Sequence, residues 1–88
     1  MENEFSNLKR IKWFMHDFCA EHNISESIQL HLIEVEEIES QFTVTITLGR
    51  PGLFIGKAGR VIDEATERLT KWLEKPVKIL LKEFNAWN

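Results

Sequence analysis

The glycines are the residues of this chain whose type and spacing could do chemistry, because all four lie between Gly49 and Gly59, in the stretch GRPGLFIGKAG. Glycine adopts positive φ without a steric penalty and lets another backbone come close. The segment Gly56-Lys57-Ala58-Gly59 therefore predicts a tight turn that exposes peptide N–H groups. Such groups attract anions, so a phosphate is the ligand that this turn would suit.

The charged residues are segregated along the chain, and this matters more than the net charge of −3. The segment Gly49–Arg60 contains no acidic residue and three basic ones, Arg50, Lys57 and Arg60. The stretch 26–40 holds five glutamates and no lysine or arginine. A sequence pI near 5.6 is unusual for a nucleic-acid binder. Binding at the turn would depend on the local field of the three cations.

Hydrophobic periodicity predicts the elements that precede the turn. Apolar residues at three- and four-residue steps indicate an amphipathic helix over residues 3–22, ended by Asn23 in the left-handed conformation. Two-residue alternation predicts a strand over residues 28–36 and a second one over Phe42–Leu48, with threonines facing outward. The two strands are expected to form a hairpin. On the first strand, the buried face is expected to hold Ile28, Leu30 and Leu32.

The elements after the second strand place the turn between two helices. Pro51 suits the first position of a short helix over Pro51–Ile55, because its missing N–H would be unpaired there. A second amphipathic helix follows the turn and ends before Pro76, and a third strand begins at Val77. The predicted order is helix, strand, strand, helix, helix, strand.

The same patterns predict the positions of several individual side chains. His31 is expected to be a solvated sheet residue, and Ile33 and Leu80 share the outward parity and predict an apolar spot on the open sheet face. Trp13 and Trp72 are expected in the core or at its rim. Trp87 lies beyond the last strand, where it either folds back or anchors a partner.

The string FIGKAGRVI has an apolar pair, Gly-x-x-Gly, two spacers and an aliphatic residue, and it resembles the signature of KH domains. The longer string RPGLFIGKAG is most similar to type II KH domains of small-subunit ribosomal proteins. The resemblance extends over about residues 5–83 and implies an α+β fold of α-β-β-α-α-β order. It further implies a three-stranded mixed sheet with the helices on one face, and one KH domain over residues 1–88.

The resemblance also implies the function: non-enzymatic binding of single-stranded RNA, with single-stranded DNA as the second choice, by a loop that clamps about four nucleotides. Bases would lie in a groove beside the turn, against Leu53, Ile55 and Val61. The candidate binding residues are Arg50, Ile55, Gly56, Lys57, Ala58, Gly59, Arg60 and Val61.

A second function stays open, in which a KH-shaped domain has weak or lost affinity for nucleic acid. It would instead dock on a protein, a ribonucleoprotein or a ribosome-associated assembly through its open sheet face or Trp87. The acidic composition favours this alternative, and the cationic turn speaks against it.

Other kinds of site find little support in the sequence. The glycines do not fit the G-x-x-x-x-G-K-[ST] phosphate loop. His16, Cys19 and His22 could supply three zinc ligands but no fourth, so we expect no metal and no cofactor. Acidic side chains on the helices have no paired base, and no catalytic residues are predicted. A single cysteine and the absence of a long apolar run predict a cytoplasmic protein without a membrane segment.

Overall fold

The structure is a computed structural model that describes residues 4–84 of the chain, with side chains from residue 6 onward. The prediction made for Trp87 falls outside the described residues. The described elements are α1 (Glu4–Glu21), β1 (Leu30–Ile38), β2 (Gln41–Leu48), α2 (Pro51–Ile55), a 3-10 turn (Lys57–Gly59), α3 (Arg60–Leu73) and β3 (Val77–Glu83). This order confirms the predicted α-β-β-α-α-β succession, with β1 shifted two residues toward the C-terminus.

The three strands form one mixed sheet in the order β1-β2-β3, as the resemblance implied. Strand β2 pairs with β1 antiparallel and with β3 parallel. The β1–β2 hairpin closes through Glu39 and Ser40, which both have positive φ, 49° and 66°. Two consecutive left-handed residues match the twist of the flanking strands, so this short connection holds the pair in register. The connection from β2 to β3 runs through α2, the 3-10 turn and α3.

A bulge in β1 overturns part of the predicted strand parity. The pairing with β2 shifts register between Leu30 and Leu32. As a result Leu32 is 45% exposed whereas Ile33 is only 6% exposed. The expectations that Leu32 faces the core and that Ile33 lies on the open face were therefore wrong. One extra residue in a strand inverts the facing of everything that follows it, and strict two-residue alternation does not anticipate this.

The helices cover one face of the sheet and enclose the core there. Helix α1 packs against β1 and α3, and α3 packs against β3. The buried apolar side chains come from all the helices and strands and from the connection between α1 and β1: Ile11, Met15, Phe18, Cys19, Ile28, Ile33, Phe42, Val44, Ile46, Leu48, Phe54, Ala65, Leu69 and Val77. Leu80 is exposed on the opposite face, as predicted. His31 is exposed too, but its ring stacks on Phe84 with 4.4 Å between ring centroids.

Of the two tryptophans in the described residues, Trp72 lies where it was predicted and Trp13 does not. Trp13 is 71% exposed, so its assignment to the core or core rim was wrong. It stands two residues from both Ile11 and Met15, a rotation of about 200° on an α-helix, which turns it away from the buried stripe. Trp72 is at the rim of the core, where it is 40% exposed and stacks against Phe14.

None of the helices in the described part of the chain combines the length and the apolar character needed to cross a bilayer.

Candidate nucleic-acid interface

The turn between α2 and α3 is built from backbone conformations that side chains disfavour. Gly56 has φ 77° and ψ 178°, and Gly59 has φ 76° and ψ 15°. Ala58 between them is also left-handed, with φ 56° and ψ 27°. Three of these four residues have positive φ, so the segment forms the tight turn that the glycine spacing predicted. The left-handed Ala58 was not predicted from the sequence, and a non-glycine residue in this conformation carries a modest steric cost.

The two glycines of the turn are required for different reasons. A Cβ on Gly56 would overlap the Val61 side chain, with 2.8 Å to the Val61 Cβ atom. A Cβ on Gly59 would meet only the Asp63 carboxylate, at 3.9 Å. Gly56 is therefore fixed by both its dihedral angles and its neighbour, whereas Gly59 is fixed by its positive φ alone.

Hydrogen bonds within the chain fix the turn and the helix before it. The Gly56 N–H donates to the Gly52 carbonyl at 3.0 Å, and the Gly59 N–H donates to the Gly56 carbonyl at 3.2 Å. At the start of α2, the N–H groups of Gly49 and Arg50 both donate to the Ile28 carbonyl at 3.0 Å. These bonds hold both ends of α2, so the turn is presented on a rigid support.

The three predicted cations lie around this turn and are free to meet an anion. Arg50 precedes α2, Lys57 lies at the tip of the turn, and Arg60 begins α3, and all three are exposed. Among the described residues, none of the three forms an ion pair or a side-chain hydrogen bond. Their charge is therefore not neutralised by an ion pair, and residues 50–60 carry three positive charges and no negative one.

The amino end of α3 adds a partial positive charge to the same place. Helix α3 has fourteen residues, and Gly59 at its N-cap makes no side-chain cap bond. First-turn N–H groups lack an intrahelical acceptor, and the helix dipole favours an anion beside them. Asp63 is an acidic residue in this first turn, with its carboxylate near Gly59. This carboxylate occupies part of the favourable field and competes with any incoming phosphate.

The aliphatic residues assigned to the groove fall into two groups. Leu53 and Ile55 are 38% and 39% exposed, on the two sides of the buried Phe54. They can touch a ligand that lies along α2. Val61 is half-buried against the core and lies directly behind Gly56. Val61 therefore packs against the core and supports the turn from behind.

A second charged cluster lies between α1 and α3, and it is internally compensated. Arg68 donates hydrogen bonds to Glu21 at 2.7 Å and to Glu64 at 3.1 Å. The hydrogen bond from Arg68 and its charge hold the pKa of Glu21 below its ordinary value. The bonds to both carboxylates raise the pKa of Arg68. The cluster therefore differs from the turn, where cations have no acidic partner.

The metal alternative does not match the side chains that the fold brings together. Cys19 is buried, and its burial raises the pKa of the thiol to about 11. His16 is exposed on α1, whereas His22 is half-buried beside Glu64, 3.4 Å from its carboxylate. In the described part of the chain, the side chains whose potential ligand atoms lie close together are instead those of Glu21, His22 and Glu64. Both of these carboxylates already accept hydrogen bonds from Arg68.

An aromatic groove on the helical surface was missed from the sequence. It measures about 490 Å³ and lies between α1 and α3. The Arg10 guanidinium lies 4.6 Å from the centroid of the Trp72 ring, at the edge of this groove. The lining residues are Trp13, Phe14, Asp17, Arg68, Lys71 and Trp72. A helical projection of α1 would have revealed the outward direction of Trp13, but α3 as its opposite wall follows only from the packing.

A comparison with protein families shows which family the chain resembles. The model of a family described as a KH domain matches residues 20–88, which includes both strands of the hairpin, the turn and the described elements after it. Helix α1 lies almost wholly before the matched region.

Curated relatives support the same comparison. The small ribosomal subunit protein uS3 of Flavobacterium johnsoniae is 34% identical over 74 residues, covering 84% of this chain and 27% of that protein. The protein of the same name from Wolinella succinogenes is 31% identical over 85 residues, covering 82% of this chain and 36% of the relative. That of Helicobacter hepaticus is 45% identical over 49 residues, which is 56% of this chain and 21% of the relative. The chain thus spans about a fifth to a third of the length of these relatives.

Proposed function

The chain belongs to the KH-domain family, in the type II arrangement, and from this premise we propose that it binds single-stranded RNA through the turn Gly56–Gly59. Single-stranded DNA is the weaker ligand in this proposal. The protein acts by binding and carries out no reaction of its own. The sugar-phosphate backbone is the part of the ligand that the turn holds, and the bases lie along α2.

One observation carries this proposal: a left-handed backbone turn and three uncompensated cations coincide at the amino end of a fourteen-residue helix. The small tip formed by Lys57, Ala58 and Gly59 lets a ribose-phosphate chain approach the main chain. Lys57 supplies a point charge, and Arg50 and Arg60 flank the path of the strand. Exposed Leu53 and Ile55 offer apolar contact to bases without selecting a sequence.

The electrostatics of the turn set the expected strength of binding. If three cations each neutralise one phosphate, the logarithm of the binding constant should fall with the logarithm of salt concentration with a slope of about −2. A slope this shallow belongs to a weak, micromolar interaction. The relatives are named as small ribosomal subunit proteins, so the RNA of a ribonucleoprotein is the class of target that we propose. Neighbouring contacts in such an assembly would add avidity.

The test is fluorescence anisotropy of a labelled random-sequence RNA with the wild type and with the double variant Lys57→Asp/Ala58→Asp. Ala58 is left-handed, a conformation that aspartate tolerates better than most residues, so the variant should fold. Binding is expected to weaken at least about tenfold because two carboxylates replace the charge that meets the phosphates. Circular dichroism verifies the fold.

A matched control separates the turn from the total charge. Lys12→Glu/Gln41→Glu changes the net charge by the same amount. Lys12 is exposed on α1, and Gln41 begins β2, at the strand end opposite the turn. This control should bind like the wild type. Equal weakening in both variants, or no binding by the wild type at low salt, would contradict the proposal.

A second function is favoured by the aromatic groove between α1 and α3. Trp13 is 71% exposed, and exposed tryptophans are frequent anchors of protein interfaces. In this alternative the domain docks on a protein of a ribonucleoprotein or ribosome-associated assembly. Trp13→Ala distinguishes the two functions, because it should leave RNA anisotropy unchanged and weaken docking on such an assembly.

A further inference from the structure

The open face of the sheet carries opposite charges on its two edge strands. The outward residues of β1 include Glu34 and Glu36, and those of β3 include Lys78 and Lys82. All four side chains are exposed. Strand β2 lies between them and presents threonines to the same face. The face is therefore acidic along one side, neutral along the middle and basic along the other.

The strand register fixes how these charges are arranged. One row across the sheet consists of Glu34, Thr45 and Leu80, and the next consists of Glu36, Thr43 and Lys78. The two edge strands are about 10 Å apart, twice the spacing of neighbouring strands, so the carboxylates and ammonium groups do not pair within one sheet. In the part of the chain that the structure describes, none of the four charged residues forms an ion pair.

We propose that this face binds a second copy of the chain, around a two-fold axis that runs parallel to the strands. Rotation about such an axis exchanges the two edges, so β1 of each copy lies over β3 of its partner. Glu36 then faces Lys78 of the other copy, and Glu34 lies between the two lysines. The contact is self-complementary, as a two-fold interface must be.

The charge pattern selects this orientation over the other face-to-face arrangement. A two-fold axis that lies across the strands would put β1 over β1, with glutamates facing glutamates, and β3 over β3, with lysines facing lysines. Like charges in contact suppress that arrangement. Leu32 and Leu80, which are 45% and 41% exposed, lie on the same face and contribute apolar contact in the favoured orientation.

The size of the face predicts a weak dimer. Three strands of about seven residues give an area of roughly 300 Å² per copy, from the standard strand spacing and rise. Stable interfaces bury about 800 Å² per partner. The dimer should therefore form only at high protein concentration, and it should be sensitive to salt because charge pairs carry its orientation.

If the proposed RNA binding holds, the dimer presents two RNA-binding turns at once. The helices and the glycine turn lie on the side of the sheet opposite the interface, so both turns of a dimer stay accessible. One long single strand could then occupy both turns, and tethering on it would raise the effective concentration of one copy near the other to the millimolar range. Dimerisation itself is measured without RNA, so its failure and the failure of RNA binding can be told apart.

Sedimentation equilibrium at low salt, up to about 1 mM protein, is the test. The weight-average mass of the wild type should rise with concentration and fall again at high salt. The edge variants Glu34→Lys/Glu36→Lys and Lys78→Glu/Lys82→Glu should each weaken association at least about tenfold. Combining all four substitutions reverses both edges, leaves the net charge unchanged and should restore association.

Two variants control for total charge. Glu26→Lys/Glu67→Lys and Ala20→Glu/Ser25→Glu/Lys71→Glu change the net charge as the edge variants do, at exposed residues of the helices and of the loop after α1. Both should associate like the wild type. A wild type that stays monomeric, association that survives reversal of either edge, or failure of the folded fourfold variant to associate would each overturn the proposal.

Discussion

The glycine turn and the open sheet face use charge in opposite ways. The turn gathers cations from eleven consecutive residues, Arg50–Arg60, around one strained piece of backbone. The sheet face spreads opposite charges over two strands that are separated along the chain and meet only through their pairing with β2. The turn is suited to bind a polyanion. The sheet face is suited to bind a surface that carries the same charge pattern with its two edges exchanged.

The two surfaces also differ in which part of the structure determines them. The turn is determined by local sequence, because the glycines set its dihedral angles and the cations are their neighbours. The sheet face is determined by register, since the outward facing of Glu34 and Glu36 depends on the bulge at Leu30–Leu32. A single slip would move every outward residue of a strand to the other face.

The largest expected effect tests that register. Ile33→Ala should reduce the free energy of unfolding by about 3–4 kcal/mol, because it removes a buried side chain and leaves a cavity. Leu32→Ala should change it by less than about 0.5 kcal/mol, because this side chain lies on the open face. Urea denaturation of both variants makes the measurement. The reverse order would mean that β1 follows simple alternation without the bulge.

A somewhat smaller effect is expected at the turn. Gly56→Ala should reduce the free energy of unfolding by about 2–3 kcal/mol, because alanine is excluded from its dihedral angles. The new Cβ would also overlap Val61. RNA binding should be lost along with the shape of the turn. Thermal unfolding and anisotropy on the same protein preparation measure both effects.

Two other glycines provide matched controls for this substitution. Gly59→Ala should cost about 1–2 kcal/mol, since its φ is positive but the space beside it is open. Gly52→Ala should raise stability by up to about 1 kcal/mol, because Gly52 is helical and its Cβ position meets no atom within 4 Å. Equal costs at all three positions would show that the turn lacks the described geometry.

Much of the fold was predictable because its elements carry strong local signals. The alternation in Phe42–Leu48 gave β2 nearly to the residue, and Pro51 and the glycines gave the break between α2 and α3. The facing of Leu32 and Ile33 was not predictable, because a bulge is a feature of the pair of strands and not of either one. The exposure of Trp13 was within reach, since the helix period alone places it off the buried stripe.

The candidate site likewise has features that could be predicted from the sequence and features that could not. The turn and its cations could be located from the sequence because they are contiguous. The left-handed conformation of Ala58 could not, since alanine has no preference for it. Nor could the pairing of Arg68 with Glu21, which are 47 residues apart. That ion pair explains why Arg68 contributes no free charge whereas Arg50 does.

The smallest predicted effect concerns Asp63, whose carboxylate shares the amino end of α3 with the turn. Asp63→Asn removes a negative charge where a phosphate should bind, so RNA affinity should rise about two- to threefold, most clearly at low salt. Glu36→Gln removes the same charge from the sheet face and should leave RNA affinity unchanged. Anisotropy titrations of the two variants compare the surfaces directly. If both substitutions raise the affinity equally, the RNA responds to the total charge of the protein, and the turn has no privileged role in holding it.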